Sequence, residues 1–226
     1  MHVELLYHTP DPERAIATAA RLCYAPVGAA ELMETMPEER VQSVLSTIMG
    51  SGHFSTLEHA SSTFAVDRVS RALTHQLVRH RIASFNQQSQ RYVRFSDGVA
   101  TVKPESVAAS EEASAVFDRA IDAAVEAYGK LLEAGVPAED ARYLLPNAAE
   151  TKIVITMNVR ELLHFFRLRC CNRAQWEIRD MAHRMLELAR PTAPFIFLDA
   201  GAPCVGGACP EGKMACGNPY PRVTRG

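Results

Sequence analysis

The sequence lacks any run of apolar residues long enough to cross a bilayer, so it offers no candidate for a transmembrane helix. Its first residues, MHVELLYHTPDPERA, also lack the basic stretch followed by an apolar stretch that marks a secretory signal peptide. We therefore expect a cytoplasmic protein without a membrane partner. The motif GxGxxG is absent too, so a Rossmann site for a nicotinamide cofactor is not predicted.

A basic excess is missing as well. The formal net charge of the 226 residues is -2, whereas proteins that mainly hold long nucleic acid usually carry a clear positive excess. The composition, 47% hydrophobic and 22% charged, is that of an ordinary globular protein. We therefore expect no nucleic-acid partner and one sizeable core.

The spacing of apolar residues predicts an α+β fold, a single domain with a mixed sheet packed by long helices. Three stretches rich in β-branched and aromatic residues predict strands: HVELLYH, ASSTFAVDR and TKIVITMN. Amphipathic spacing predicts helices over residues 10–24, 30–49, 69–81, 110–135, 158–169 and 175–190. Asn158 is predicted to cap the fifth of these helices at its N-terminus.

Acidic residues are missing between Asp67 and Asp97, and so is lysine. The same stretch contains six arginines: Arg68, Arg71, Arg79, Arg81, Arg91 and Arg94. The planar guanidinium can bind phosphate or carboxylate through two hydrogen bonds, which lysine cannot do. A local positive field in a chain of negative net charge indicates a confined anionic ligand rather than a long polyanion.

The segment RHRIASFNQQSQRY, residues 79–92, concentrates these groups. In the predicted helix, Gln76, Arg79 and His80 would share one face, and the residues after it would form a turn able to surround a phosphate. A solvated basic helix followed by a polar loop is the alternative interpretation of the same pattern.

Five blocks, in this order, resemble the flavin-dependent thymidylate synthase family: GHFSTLEH, RHRIASFNQQSQRY, ARYLLPNA, MNVRELLHFFRLR and AQWEI. Arg79-His80-Arg81, seven residues and then Ser89 is similar to the family signature, and the similarity extends over residues 1–197. The resemblance implies conversion of dUMP to dTMP, with methylenetetrahydrofolate as one-carbon donor and NADPH-reduced FAD as hydride source. It also implies a homotetramer whose active sites are shared between subunits.

The resemblance assigns ligands to particular residues. The residues expected to contact FAD are Ser55, Glu58, Arg79, His80, Arg81, Gln87, Asn158, Arg160 and His164. Those expected to bind dUMP are Gln76, Arg79, Gln87, Gln88, Ser89, Gln90, Arg91, Arg142 and Arg169. Within the second set, Ser89 and Arg91 would hold the phosphate.

Two residues are expected to be catalytic, Arg169 and His53. Arginine is not a base near neutral pH, so Arg169 would act electrostatically on negative charge that develops on the uracil ring. His53 would lie near the flavin ring and the folate. The sequence departs from the common family pattern at Gln87, where glutamate is frequent, and at Arg173, where some relatives carry histidine.

The sequence offers only weak candidates for a nucleophile or a metal site. Cys170 and Cys171 have no neighbouring base in sequence and are interpreted as packing residues rather than nucleophiles. Ser89 likewise lacks a base. His53 and His59 are six residues apart, a poor metal spacing, and His75 and His80 lack a matching carboxylate or cysteine cluster, so no metal site is predicted.

The predicted domain covers residues 1–197, and residues 198–226 form a Cys/Gly/Pro-rich C-terminal extension. Cys204, Cys209 and Cys216 do not have zinc-knuckle spacing, and no histidine lies nearby. A flexible or surface-packed tail is favoured over a zinc site. Two other functions stay open at this point: a nucleic-acid-binding module, and a nucleotide-binding regulator that has lost catalysis.

Overall fold

A computed structural model describes residues 1–95 and 98–221, so the last five residues of the predicted extension lie outside the described part. The strands are β1 (His2–His8), β2 (Ser61–Ser70), β3 (Ala83–Gln87) and β4 (Glu150–Asn158). The first helices are α1 (Pro12–Leu22), α2 (Ala29–Thr35), α3 (Glu38–Ser51), α4 (Arg71–Leu77) and α5 (Glu105–Ala108). The later ones are α6 (Glu111–Glu133), α7 (Ala138–Ala141), α8 (Val159–Arg169) and α9 (Trp176–Ala189).

The four strands form a sheet in the order β1-β2-β4-β3, and the predicted α+β class is confirmed. The sheet is antiparallel, so the predicted mixed sheet is wrong. Hydrogen bonds where strands begin and end show the direction: Thr9 N donates to Ser61 O at 2.9 Å, and Val159 N donates to Ala60 O at 2.8 Å. Along β4, buried residues alternate with more exposed ones, as expected for a strand with one covered face.

The chain divides into two compact units. The first unit comprises residues 1–2, 66–79 and 86–153, and the second comprises residues 3–65, 80–85 and 154 onward. The boundary predicted at residue 197 stays a prediction.

The first unit contains the long helix α6. Ser110 caps α6 by accepting a hydrogen bond from Ala113 N at 3.3 Å, and the helix is followed by Gly135 with a φ of +83°, which favours glycine. Tyr128 of this helix is 1% exposed and packs edge-on against Phe95. Ser70 caps α4 in the same way, through a hydrogen bond from Leu73 N at 3.0 Å.

The second unit is built on α8 and α9. Phe165, Phe166 and Phe197 are fully buried in it. The ring of Phe166 contacts the rings of Phe165 and Phe197 edge-on. Asn158 Oδ1 accepts from Glu161 N at 2.8 Å, which confirms the predicted cap of α8. Gln175 caps α9 by accepting from two backbone N–H groups.

Two predicted helices differ from the observed ones. The segment predicted as one helix over 30–49 is two helices, because Pro37 lacks an N–H group and Met36 before it is extended. The helix predicted over 69–81 ends at Leu77, so Gln76, Arg79 and His80 do not share a helical face. No described helix is both long and apolar enough to cross a membrane.

Candidate functional site

The triplet Arg79-His80-Arg81 begins in the turn that follows α4, and its three residues differ in exposure. His80 is buried at 4% exposure, whereas Arg79 and Arg81 are exposed. The residues after it were expected to form a turn, but Ala83–Gln87 is a strand of the sheet. The predicted phosphate turn is therefore shorter and begins after Gln87.

His80 connects two residues of α8. Its Nδ1 lies 2.9 Å from Glu161 Oε1, and Arg169 Nε donates to its Nε2 at 3.0 Å. Because a guanidinium N–H can only donate, Nε2 must accept, which places the ring proton on Nδ1 and directs it to Glu161. The imidazole is therefore neutral, and the order Glu161, His80, Arg169 forms one continuous chain of hydrogen bonds.

Burial reinforces this protonation state. It lowers the pKa of His80, and the positive charge of Arg169 acts in the same direction, while the hydrogen bond to Glu161 opposes both. Burial also lowers the pKa of the half-buried Arg169 guanidinium. Arg169 stays a cation, since its ordinary value lies far above neutral pH.

Among the described residues, His80, Glu161 and His164 are a group whose possible ligand atoms lie within 4.8 Å of one another. Sequence spacing missed this group because Glu161 lies 81 residues after His80. Both nitrogens of His80 already have partners, so a metal ion would have to displace Arg169 or Glu161. We interpret the group as the support of Arg169, and the predicted absence of a metal site here stays a prediction.

A cavity of about 800 Å³ lies in the second unit, beside the exposed face of α8. Four of the residues expected to contact FAD line it: Glu58, Asn158, Arg160 and His164. Arg160 donates to Glu58 at 2.5 Å, which joins α8 to the 3₁₀ turn Phe54–His59. Ser55 lies on this turn and His53 directly before it, and both are exposed.

The cavity wall is chemically mixed. Arg160 and Arg167 supply positive charge, while Met49, Phe54 and Leu163 supply apolar surface. On α8, Leu162 and Phe165 are buried and do not line the cavity, whereas Arg160 and His164 do. The tail lines the opposite part with small residues: Gly201, Ala202, Gly206, Gly207 and Ala208.

In the first unit, Arg91 and Arg142 meet at one acidic residue. Arg91 Nε and a terminal nitrogen lie 2.8 and 2.7 Å from Glu139 Oε2, and Arg142 Nε donates to the backbone oxygen of Glu139 at 3.0 Å. Burial lowers the pKa of Arg71, and the nearby charge of Arg142 lowers it further. Arg91 is therefore the arginine that pairs with the Glu139 carboxylate, while Arg142 binds the backbone of the same residue and lies near Arg71.

The polar residues between β3 and Arg91 have separate environments. Gln87 Nε2 donates to Thr74 and Thr151 hydroxyls at 3.1 and 3.2 Å, which a glutamate could not do. Ser89 Oγ accepts from Arg91 N at 3.2 Å. Gln90 is 8% exposed, and its Nε2 has no hydrogen-bond partner among the described residues.

The other predicted dUMP residues are distributed over both units. Gln88 N donates to Lys152 O at 3.0 Å. Gln76 lies near the end of α4, where its amide makes a long contact of 3.4 Å to Ala72 O. Arg79 and Arg169 of the same predicted set fall at the end of the first unit and in the second unit.

Sequence reasoning missed Glu161, Arg167 and Glu139, and it identified Arg71 only as one of six clustered arginines. Glu161 stands three residues after Asn158, which is capping-box spacing and sufficiently explains an acid at that position. Arg167 lies one helical turn after His164, as His164 lies one turn after Arg160. Helical spacing could therefore have identified it. Glu139 has no local signal, because its partner Arg91 lies 48 residues away.

Cys170 is not suited to nucleophilic chemistry. It is fully buried, and burial raises the pKa of its thiol to about 12. The thiol is therefore protonated near neutral pH, in agreement with its interpretation as a packing residue.

The sequence matches the model of the family described as "Thymidylate synthase complementing protein" over residues 4–195. It is 60% identical over 218 residues to the flavin-dependent thymidylate synthase of Geobacter sulfurreducens, covering 96% of this chain and 94% of that one. Identity to the enzyme of the same description from Clostridium tetani is 48%, covering 95% and 92%.

A solved structure is also similar: the UMP/dUMP methylase PolB from Streptomyces cacaoi, bound with 5-Br dUMP. The two chains share 27% identity and superpose with a TM-score of 0.72. The similarity covers 87% of this chain and 92% of that one.

Proposed function

This chain belongs to the thymidylate synthase complementing protein family, and we propose that it is a flavin-dependent thymidylate synthase. It methylates dUMP to dTMP, with methylenetetrahydrofolate as one-carbon donor and NADPH-reduced FAD as hydride source. The observation that carries the proposal is the 800 Å³ cavity, where Glu58 meets Asn158, Arg160 and His164. These residues come from two blocks of sequence that are about a hundred residues apart, and both blocks resemble the family.

The cavity fits the chemistry of FAD. Its volume is within the range of pockets that hold sizeable ligands. Arg160 and Arg167 suit a dianionic pyrophosphate, and Met49, Phe54 and Leu163 suit an apolar ring system. When bound, FAD reduced by NADPH supplies the hydride that converts the transferred one-carbon unit into a methyl group.

Arg169 is proposed to activate the uracil. Its guanidinium stabilises the negative charge that develops on N3 and O2 of the ring, which raises the nucleophilicity of C5. The neutral His80 orients the guanidinium through Nε, so the terminal nitrogens of Arg169 are directed by a buried partner. His53, exposed before the turn Phe54–His59, is proposed to act at the folate end of the site.

The dUMP phosphate is proposed to bind at Ser89 and Arg91. Ser89 Oγ accepts from Arg91 N, and Arg91 pairs with the exposed Glu139 carboxylate, which a phosphate would replace as the partner of its guanidinium. Gln90 supports a ligand at this place, because its buried amide donor has no partner among the described residues. Gln76 and Gln88 complete the polar set.

The active enzyme is proposed to be a cytoplasmic homotetramer with active sites shared between subunits. Tyr92 and Tyr143 support this, since they are 78% and 84% exposed and directly follow Arg91 and Arg142. Large exposed aromatic side chains beside functional residues are typical of a surface that another subunit covers. Ile82, 66% exposed and on the wall of the flavin cavity, has the same character.

The test is to purify the full chain, load it with FAD and follow dTMP formation from dUMP, methylenetetrahydrofolate and NADPH. Omission of each component in turn should abolish product. A protein that takes up no flavin, or a flavoprotein that forms no dTMP under these conditions, would contradict the proposal.

A further inference from the structure

The described end of the C-terminal tail contacts α9 through Tyr220, whose OH lies 3.1 Å from His183 Nε2. No residue of the described segment 206–221 is buried, and its regular structure is the short 3₁₀ turn Gly212–Met214. Polar contacts hold it to the end of α8: Tyr220 OH donates to Asn172 Oδ1 at 2.8 Å, and Asn172 Nδ2 donates to Asn218 O at 2.8 Å. A segment with so little burial needs a further source of stability.

Four of the six cysteines line one cavity of about 390 Å³ in this region: Cys171, Cys204, Cys209 and Cys216. The tail alone has three, which is one ligand too few for a closed zinc site. Cys171, which follows the last turn of α8, supplies the fourth. This residue is distant from the tail in sequence, so spacing within the tail could not reveal the set.

We propose that Cys171, Cys204, Cys209 and Cys216 form a tetrathiolate zinc site that fastens the C-terminal tail to the end of α8. Four thiolates in tetrahedral arrangement are a preferred structural environment of Zn²⁺. All four cysteines are free thiols in this structure, so each is available as a ligand.

The backbone around two of the sulfur atoms supports thiolate ligands. Tyr220 N donates to Cys204 Sγ at 3.3 Å, and Asn218 N donates to Cys216 Sγ at 3.4 Å. Gly217 between Cys216 and Asn218 has a φ of +75°, a conformation that favours glycine and turns the Asn218 N–H toward the sulfur. Hydrogen bonds to coordinating sulfur stabilise its negative charge.

An arginine lines the cavity with the four cysteines. Arg173 donates to Met214 O at 2.8 Å and pairs with Glu211 of the same lining at 3.1 Å. Arg173 therefore joins the residues after α8 to the tail segment that carries Cys209 and Cys216.

Metal binding requires the tail to close further. Within the described residues, no three of these sulfur atoms form a group within 4.8 Å of one another, as His80, Glu161 and His164 do. Cys209 and Cys216 lie on the exposed segment, and glycines 206, 207, 212 and 217 give its backbone the freedom to move. Zinc binding would thus order the tail, since coordination and folding of a small segment are coupled.

The site would stabilise more than the tail. Pro203, Gly207 and Ala208 line both the cysteine cavity and the 800 Å³ cavity. A tail fastened by zinc therefore keeps one wall of the larger cavity in place.

The test uses the purified full-length chain under reducing conditions. Elemental analysis is expected to give one zinc per chain. Alkylation followed by residue-resolved mass spectrometry should find the four cysteines protected, and removal of zinc by a chelator should make them react. Cys23, which is exposed and outside the cavity, should react in both states.

Cys209→Ser and Cys216→Ser should each lower zinc affinity by at least about a hundred-fold, whereas the matched variant Cys23→Ser should retain the wild-type stoichiometry. The proposal is overturned by zinc well below one equivalent after reconstitution, by iron in place of zinc, or by a disulfide between any two of the four cysteines. None of these measurements needs flavin or turnover, so their failure is distinguishable from failure of the proposed enzyme. Wild-type alkylation decides the question even if a serine variant does not fold.

Discussion

Arg169 donates its Nε–H to the buried Nε2 of His80 across 3.0 Å, so a cation and a neutral imidazole are joined inside the second unit. The imidazole is held in turn by Glu161 at 2.9 Å. The guanidinium proposed to face the uracil is therefore oriented by two residues with buried side chains, and each link can be removed separately.

Removing the guanidinium should separate flavin binding from turnover. We expect Arg169→Ala to keep its flavin spectrum and to lose turnover by about 10²–10³-fold, the scale of losing a donor to a developing oxyanion. Arg169→Lys should rescue little, because an ammonium cannot bind His80 and the uracil with the same geometry. Single-turnover measurement of flavin oxidation checks this.

The matched control for Arg169 is Arg184→Ala, which removes a half-exposed arginine that pairs with Asp180 one turn earlier on α9. It should retain full turnover. Full turnover in Arg169→Ala would contradict the role of that residue while leaving flavin binding untouched.

Glu161 should act as a positioning residue. Glu161→Ala leaves the buried His80 N–H without its acceptor, which we expect to cost about 2 kcal/mol of the free energy of unfolding. Glu161→Gln retains an acceptor and should fold more stably than the alanine variant. Both should lower kcat more than they raise KM for dUMP, because Glu161 acts through His80 rather than on the substrate.

Denaturant unfolding and steady-state kinetics check this prediction, with Glu177→Gln as the control, another buried acid of the same unit. A pure loss of stability with an unchanged kcat in Glu161→Gln would show that the carboxylate has no positioning role.

The pH dependence of stability should report the neutral state of His80. Its folded pKa lies below the ordinary value of about 6.5, so the unfolded chain binds a proton more readily than the folded chain. The free energy of unfolding should therefore be unaffected above about pH 6.5, fall as pH decreases toward the folded pKa, and level off below it.

Thermal unfolding across this pH range in wild type and His80→Gln isolates the contribution of His80. Burial also lowers the pKa of His183, so part of the slope should remain in the variant and decrease further when His183 is replaced as well. Superimposable slopes for wild type and His80→Gln would contradict the assignment.

The phosphate site should distinguish dUMP from the nucleoside deoxyuridine. We expect Arg91→Ala to raise KM for dUMP by about 10–100-fold, the scale of losing charge-assisted hydrogen bonds. Turnover of deoxyuridine, which has no phosphate, should change little. Ser89→Ala should show the same selectivity with a smaller effect.

Lys130→Ala provides the comparison for Arg91, since it removes an exposed cation of the first unit that is paired with Glu126. It should leave both substrates unaffected. Equal losses for dUMP and deoxyuridine in Arg91→Ala would place Arg91 away from the phosphate.

Mixing two impaired variants, assayed at a dUMP concentration well below the KM of Arg91→Ala, tests whether subunits share active sites. If Arg91 and Arg169 of one site come from different subunits, random mixing of Arg91→Ala with Arg169→Ala should restore intact sites in about a quarter of positions. Turnover of the mixture after subunit exchange measures this. A mixture as inactive as its components would indicate that one subunit supplies both residues.

Local signals account for what the sequence predicted correctly. The strand β1, the helix α8 and its Asn158 cap follow from residue type and spacing within one short stretch. The strand Ala83–Gln87 did not, because its identity depends on pairing with β4 far along the chain. Helix α4 ends at Leu77, a few residues before that strand. No proline or glycine lies between the two elements, so the sequence has no local signal for the end of the helix.

The same distinction between local and long-range signals applies to the candidate site. Resemblance to the family assigned Arg160 and His164 to the flavin, and in the structure both line the 800 Å³ cavity. The bonds of His80 to Glu161 and of Arg91 to Glu139 join residues 81 and 48 positions apart. Glu161 resembles an ordinary helix-capping acid and Glu139 an ordinary surface acid, so their distant partners could not be predicted from the neighbouring sequence.

Helix α8 sets the distance between Glu161 and Arg169, the two residues that bind the His80 ring. Glu161 lies in its first turn and Arg169 is its last residue, about 12 Å apart along the axis, yet both reach one imidazole because the long Arg169 side chain leans back toward the N-terminus. One residue more or less between them would rotate Arg169 by about 100° away from His80. The number of residues between Glu161 and Arg169 is therefore as constrained as the identity of either one.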